Sequence, residues 1–165
     1  MAIGDPGSES RPSTDFRLFY LAAAAVAAVG VLADLSLAPG PTLNVAGVVV
    51  DVALAVVVTL AAVWAKRGGK SAALISAACG AAYGFISGLA GLLLPGMLAA
   101  EQRALAAQPV SAANAATQRQ AIAFITSTSG RTIELVLLVI GSALLSMVWG
   151  GLVSLFVRKP DATEV

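Results

Sequence analysis

Four long stretches of the chain contain almost no charged residue, and they determine the predicted fold class. They cover residues 18–37, 43–65, 71–95 and 132–157. A helix needs about 20 predominantly apolar residues to cross a hydrocarbon core of about 30 Å. The stretches are continuous and do not alternate with a period of two, so we expect helices and not membrane strands. The pattern predicts an all-α integral membrane four-helix bundle.

The connections between these stretches contain helix-breaking or polar residues. A Pro-Gly-Pro turn at residues 39–41 follows the first stretch, and a basic turn at 66–70 follows the second. Residues 95–96, a Pro-Gly pair, are expected to end the regular part of the third helix. Residues 101–130 are more polar, and we expect them to form a short extracytoplasmic segment of two helices split by Pro109.

The membrane domain is expected to occupy residues 15–157. Residues 1–14 are rich in Gly, Ser and Pro and predict a flexible cytoplasmic tail, while residues 158–165 predict a short cytoplasmic C-terminal tail. A cleavable signal peptide is the alternative for the first stretch, because residues 36–38 resemble a cleavage site. The stretch is longer than the apolar region of such peptides, usually about 7–15 residues, which favours an anchored helix.

Basic residues predict the orientation, because cytoplasmic loops of membrane proteins carry an excess of Lys and Arg. The basic residues on one side of the predicted bundle are Arg11, Arg17, Lys66, Arg67, Lys70, Arg158 and Lys159. Those on the other side, which are offset by glutamates, are Arg103, Arg119 and Arg131. We therefore expect a multi-pass protein of the inner cell membrane with both termini in the cytoplasm. The Ala- and Gly-rich, Lys-poor composition is typical of a bacterial genome of high GC content.

The composition excludes several classes of function. The chain of 165 residues is 58% hydrophobic and 12% charged, whereas about 25% of an ordinary soluble domain is charged. A net charge of +1 gives no reason to expect nucleic acid as a partner. The chain has no histidine, and its single cysteine, Cys79, permits neither an intrachain disulfide nor a thiolate zinc site. We expect no metal, no cofactor and no enzymatic activity, and we expect no pair of carboxylates at a shared depth.

Small residues recur at a four-residue spacing in two of the stretches. They are Ser76, Gly80, Gly84 and Gly88 in the third, and Ser142, Ser146 and Gly150 in the fourth. Residues four apart share one face of a helix, and membrane helices associate closely through small residues. The spacing predicts two packing faces. Their partner is left open, since it could be another helix of the same chain or another copy.

Asp51 is the one charged residue within the second stretch. It lies roughly 12 Å from the outer end of that helix, and the same counting puts Tyr83 and Ser142 at a similar depth. We predict an intramembrane polar site formed by Asp51, Tyr83 and Ser142, with Gly30 providing space. Asp34, near the outer end of its helix, is expected to be a boundary residue, as is Glu134 near the N-terminus of the fourth.

Three interpretations of Asp51 remain open. A carboxylate near the bilayer centre costs several kcal/mol and usually faces protein or water. No Lys or Arg occurs within the four stretches, so this chain supplies no intramembrane counter-ion. Asp51 is then a proton- or cation-binding site, a polar clasp that fixes helix register, or the partner of a cation on another subunit.

Two functions follow from these features. Small size, packing faces and a polar outer segment favour a non-catalytic accessory or assembly subunit of a larger membrane complex. Its partners would be the lipid bilayer and other membrane-protein subunits, or further copies of this chain. The alternative is a small oligomeric transporter coupled to protons or cations, with Asp51 as the titrating group. The scarcity of other polar residues in the stretches favours the subunit.

Overall fold

The computed structural model describes residues 15–38, 40–106 and 115–158, and this part of the chain is helical without strands. The helices are α1 (Arg17–Ser36), α2 (Pro41–Arg67), α3 (Ala72–Leu93), α4 (Pro95–Ala106), α5 (Ala115–Thr126) and α6 (Thr128–Phe156). Four of them, α1, α2, α3 and α6, are long and apolar enough to cross a membrane. The prediction of an all-helical chain is therefore confirmed for the described residues, and so is the prediction of four helices long and apolar enough to span a membrane. Pro109 and the tails before residue 15 and after residue 158 lie outside them.

The basic turn between α2 and α3 is closed by local backbone features. Gly69 adopts a φ of 69°, a left-handed conformation that glycine accepts without steric cost. Ser71 then caps α3, because its hydroxyl oxygen accepts a hydrogen bond from the backbone N–H of Leu74 over 3.4 Å. The turn is short, so α2 and α3 are antiparallel neighbours.

Helix α3 ends at Leu93, two residues before Pro95, as expected from that proline. Leu94 is extended, with φ −100° and ψ 110°, which is the conformation that a following proline favours. Helix α6 begins at Thr128 and not at 132, because the Ser127 hydroxyl oxygen accepts a hydrogen bond from the N–H of Gly130 over 2.9 Å. Glu134 consequently lies in the second turn of α6, away from the N-terminus where we expected it.

The four long helices do not contact one another equally. Helices α2 and α3 contact each other, and each also contacts α1 and α6. In the described part of the chain α1 and α6 share no close backbone contact, so they lie on opposite sides of the α2–α3 pair. Helix α4 packs on α1 and α3, whereas α5 packs on α4 and α6. The short helices thus gather at the end of the molecule where α1 and α3 finish.

The largest interface joins α3 to α6, and its glycines allow the two backbones to touch. A Cβ atom at Gly84 would lie 2.8 Å from the carbonyl carbon of Leu138 and 2.9 Å from Cα of Val139. A Cβ atom at Gly88 would lie 2.9 Å from Cα of Leu135. The partners on α6 fall in number as those on α3 rise, so these helices are antiparallel. Any larger residue at either glycine would force the backbones apart.

The same face continues to the other end of the two helices. A Cβ atom at Gly80 would overlap the side chain of Ser146, and one at Gly150 would overlap that of Ser76. Ser76 is fully buried and Ser146 nearly so. The small-residue face of α3 therefore lies against the small-residue face of α6 in the same chain.

The ends of α1, α2 and α3 near the basic turn form a small apolar core. Phe16 packs there with Ala62, Ala65 and Ala72, all of which are buried. The ammonium group of Lys70 lies 4.7 Å from the centre of the Phe16 ring, an arrangement that favours a cation–π attraction. This core joins the start of α1 to the α2–α3 turn.

Candidate functional site

Asp51 lies on α2 where two cavities meet. One is a groove of about 390 Å³ between α2 and α6. The other is a small cavity of about 90 Å³ bordered by α1, α2 and α3. The Asp51 side chain is exposed to the surroundings of the single chain. Asp51 therefore borders both the groove and the small cavity.

The small cavity gathers polar groups from three helices. Asp34 of α1, Asp51 of α2 and Tyr83 of α3 line it together with small residues. A Cβ atom at Gly47 would have no neighbour within 4 Å, so this glycine leaves open space beside the carboxylates. A polar space of this volume is large enough for water molecules, each of which needs roughly 10–15 Å³ of such volume.

The three predicted site residues do not all meet. Asp51 and Tyr83 line the same cavity. Ser142 lines neither that cavity nor the groove, and its backbone carbonyl faces Gly80 in the α3–α6 interface instead. Asp34, which the sequence suggested was a boundary residue, joins the cavity. Its spacing of four from Gly30 puts both residues on one face of α1, and that signal was present in the sequence.

The groove between α2 and α6 is mostly apolar, and Asp51 and Ser146 are the lining residues with side-chain oxygen atoms. Its apolar walls are formed by Leu54, Ala55, Val58, Leu145, Val148 and Leu152. Trp149 also lines the groove, and its indole N–H donates a hydrogen bond of 2.9 Å to the Thr59 hydroxyl. The groove thus presents one carboxylate, one indole fixed by a hydrogen bond, and an aliphatic surface.

A third cavity, of about 150 Å³, lies at the end of the molecule where α4 packs. Asp34 lines it together with Glu101 and Arg103 of α4. Asp34 therefore borders two cavities, this outer one and the small cavity that contains Asp51. Its position links the outer end of the helices to the middle of α2.

Glu101 of α4 lies close enough to Glu134 of α6 for the two side chains to interact. Burial and the neighbouring charge of Glu134 raise the pKa of Glu101 to about 7, although the charge of Arg131 opposes the shift. Our expectation that no two carboxylates share a depth was wrong for this pair. The sequence could not indicate it, because Glu101 and Glu134 meet only through the packing of α4 against the ends of α1 and α3.

Arg131 ties the start of α6 to the end of α3. Its Nη1 donates a hydrogen bond of 3.0 Å to the carbonyl oxygen of Leu92, one of the last carbonyls of α3, which lack partners within their helix. Its Nε atom is buried and has no hydrogen-bond partner among the described residues. The guanidinium is therefore held beside the Glu101–Glu134 pair.

These groups form a series from the outer end of the helices to the middle of α2. The Glu101–Glu134 pair is followed by Asp34 across the outer cavity, and Asp34 by Asp51 across the small one. Carboxyl groups separated by water-sized spaces can pass protons or hold a monovalent cation. No group of three metal-ligating side chains is found in the part of the chain that the structure describes.

Comparison with protein-family models, with curated proteins and with solved structures finds no match for this chain.

Proposed function

We propose that this protein is a small transporter of the inner cell membrane, in which Asp51 binds a cation in exchange for a proton. One observation carries the proposal: Asp51 borders both the apolar groove and the small cavity shared with Asp34 and Tyr83. This arrangement gives Asp51 two polar neighbours on other helices. A carboxylate with access from two directions can release a proton to one and receive a cation from the other.

The energetics of the membrane require that the Asp51 charge be compensated. An isolated carboxylate at this depth costs several kcal/mol, and the four apolar stretches contain no Lys or Arg. A bound proton or a bound cation removes that cost, and the two compete for the same oxygen atoms. This competition is the basis of the proposed exchange.

The proposed orientation has both termini in the cytoplasm and four helices packed as a bundle. The basic turn with Lys66, Arg67 and Lys70 then faces the cytoplasm, as the excess of positive charge in cytoplasmic loops requires. The Glu101–Glu134 pair and the outer cavity face the opposite side. Protons would therefore reach Asp51 from the extracytoplasmic side, by way of Asp34.

A second function, that of an accessory or assembly subunit, is favoured by the exposure of Asp51. In an isolated chain the exposed carboxylate borders lipid, and a helix from another subunit could cover it and supply a cation. The small-residue faces of α3 and α6 are already occupied by each other. Such a partner would therefore bind at the groove between α2 and α6.

Purified protein in liposomes separates the two functions. With a pH gradient imposed, an internal pH dye reports whether adding sodium, potassium or an organic cation moves protons through wild type and Asp51→Asn. Asp15→Asn is the matched control, because Asp15 is an exposed carboxylate that lines none of the cavities described above. Cation-driven proton movement in wild type and the control, lost in Asp51→Asn, supports the transporter. Absence of such movement, together with a stoichiometric polypeptide that Asp51→Asn releases, supports the subunit.

A further inference from the structure

We propose that the groove between α2 and α6 binds a lipophilic organic cation, with the charged group at Asp51 and the apolar part extending toward Trp149. This inference rests on the proposed exchange at Asp51 and names its substrate class. A cation that is largely apolar matches the groove, because the lining carries one carboxylate and is otherwise almost entirely apolar. An organic cation also brings its own apolar surface to cover these walls.

The volume and chemistry of the groove argue against an inorganic ion. Its volume of about 390 Å³ lies within the range of roughly 300–1,000 Å³ that small-molecule sites occupy. A hard metal cation such as Ca²⁺ requires about 6–8 oxygen ligands, whereas Asp51 and Ser146 are the side chains with oxygen atoms that line this groove. An organic cation with a delocalised charge can be balanced by one carboxylate and does not require a complete shell of oxygen ligands.

Trp149 gives the far end of the groove an aromatic surface in a defined position. The hydrogen bond from its indole N–H to Thr59 restrains the ring. Thr59 lies about 12 Å along α2 from Asp51 at 1.5 Å per residue. The groove thus fits an amphiphile of about this length with its charge near one end.

The groove is open toward the lipid, which gives such a molecule a route of entry. Leu145, Val148 and Leu152 line the groove and are half or more exposed on the single chain. A lipophilic cation that partitions into the bilayer can enter sideways without crossing a polar barrier. A second copy fits the groove less well, because it would present Asp51 or an apolar surface and no cation at this depth.

The groups that titrate around Asp51 are few. Asp34 from α1 and Tyr83 from α3 face it across the small cavity. Among the described residues that line the groove, α6 contributes no titratable side chain. Displacement of a proton by the cation should therefore be traceable to Asp51 by substitution.

Binding is tested on the purified full-length chain in detergent, with tetraphenylphosphonium as the probe. Trp64 and Trp149 are the two tryptophans of the chain, so Trp64→Phe leaves Trp149 as the sole indole reporter. We expect saturable quenching of Trp149 fluorescence and release of a proton on binding. Asp51→Asn should weaken binding by about 30-fold or more, as expected for loss of one partner of a desolvated charge pair. Unchanged affinity in this variant would overturn the inference.

A second pair of variants keeps the test valid if Asp51→Asn does not fold. Ala55→Phe narrows the groove and leaves Asp51 in place, and it should abolish binding of tetraphenylphosphonium. Val56→Phe, on an exposed position of α2 that does not line the groove, should leave binding unchanged. Equal binding by both variants would place the probe elsewhere and would refute the proposed site.

The outcomes for the substrate and for the exchange are distinguishable. If sodium or potassium drives proton movement through wild-type liposomes while tetraphenylphosphonium neither binds nor moves protons, the substrate class is wrong and the exchange stands. If no cation moves protons although tetraphenylphosphonium binds and Asp51→Asn weakens that binding, the exchange is wrong and the ligand class stands. If tetraphenylphosphonium does not bind and no cation moves protons, both proposals fail. If a photo-cross-linker at Leu152 captures a membrane polypeptide in native membranes and tetraphenylphosphonium does not prevent it, the groove is a subunit interface and the inference is overturned.

Discussion

The indole N–H of Trp149 donates a hydrogen bond to the Thr59 hydroxyl over 2.9 Å, and that hydroxyl donates to the carbonyl oxygen of Ala55 over 2.7 Å. The bond joins α6 to α2 at the far end of the groove from Asp51. Thr59 thereby provides the hydrogen-bond partner that a tryptophan N–H needs within an apolar helix. Trp149 is thus part of the packing between two helices as well as of the groove lining.

Thr59→Val should weaken this junction. The substitution keeps the shape of the side chain but removes the acceptor for the indole, so we expect a loss of about 1 kcal/mol in the free energy of unfolding. In the Trp64→Phe background, the emission of Trp149 should also change. Thr132→Val is the matched control, because the Thr132 hydroxyl bonds only to a carbonyl of its own helix. If Thr59→Val and Thr132→Val lose the same free energy of unfolding, the loss comes from replacing a threonine in a helix and not from the hydrogen bond between α2 and α6.

Gly84→Ala should separate α3 from α6. The added Cβ would meet backbone atoms of Leu138 and Val139 that cannot move independently of α6. Overpacking of this kind costs about 1–3 kcal/mol, measurable by unfolding in mixed micelles followed by circular dichroism. Gly91→Ala on the same helix is the control, because a Cβ there has no neighbour within 4 Å. That variant should be neutral or more stable by up to about 1 kcal/mol, from helix propensity. The reverse order of stabilities would contradict the proposed role of the glycine face.

Features that belong to a single helix could be predicted from the sequence, whereas features that depend on contacts between helices could not. The four long helices follow from runs of apolar residues, and the small-residue faces that carry Ser76 and Gly150 follow from a four-residue spacing within each helix. That these two faces pack against each other did not follow from the sequence, because the spacing does not identify a partner. The meeting of Glu101 with Glu134 has no such local signal, because it depends on where α4 folds back after Pro95. Asp34 is an intermediate case. Its spacing from Gly30 is local, but its role as a link between two cavities depends on α2, α3 and α4.

The Glu101–Glu134 pair should make stability depend on pH. Glu101 has a pKa of about 7 in the folded chain, against an ordinary value of 4.5. Between these values the folded chain holds a proton that the unfolded chain has released, so the stabilisation is fully present below about 4.5 and is lost as pH rises toward 7. We expect the midpoint of thermal unfolding in micelles to be higher at pH 5 than at pH 8.

Glu101→Gln is the test of this assignment. Glutamine keeps a hydrogen bond to Glu134 available at every pH, so the variant should lose most of the difference in stability between pH 5 and pH 8. Asp15→Asn, at an exposed carboxylate, should keep the difference seen in the wild type. A wild-type chain that becomes more stable as pH rises over this range would show that Glu101 is ionised in the folded state.

Ser76→Ala should stabilise the α3–α6 interface or leave it unchanged. The Ser76 hydroxyl is buried against Gly150 and has no hydrogen-bond partner among the described residues. Burial of an unpaired hydroxyl costs roughly 1–3 kcal/mol, and alanine removes that cost while nearly preserving the side-chain volume. Ser71→Ala is the contrasting variant, since it removes the N-cap of α3 and should cost about 1 kcal/mol. A clear loss of stability in Ser76→Ala would mean that the hydroxyl has a partner in the folded membrane protein, such as a buried water.

Asp34→Asn should slow proton exchange at Asp51 and leave cation affinity nearly unchanged. Asp34 borders the outer cavity and the small cavity that contains Asp51, so an amide at this position interrupts the series of carboxyl groups. Asparagine preserves size and hydrogen bonding but cannot carry the proton, and loss of a positioned proton-transfer group typically costs about 100-fold or more in rate. The measurement is a stopped-flow pH jump on the Trp64→Phe chain with tetraphenylphosphonium bound, in which release of the probe follows protonation of Asp51. Exchange at the wild-type rate would mean that protons reach Asp51 through the groove, and the outer cavity would then have no part in coupling.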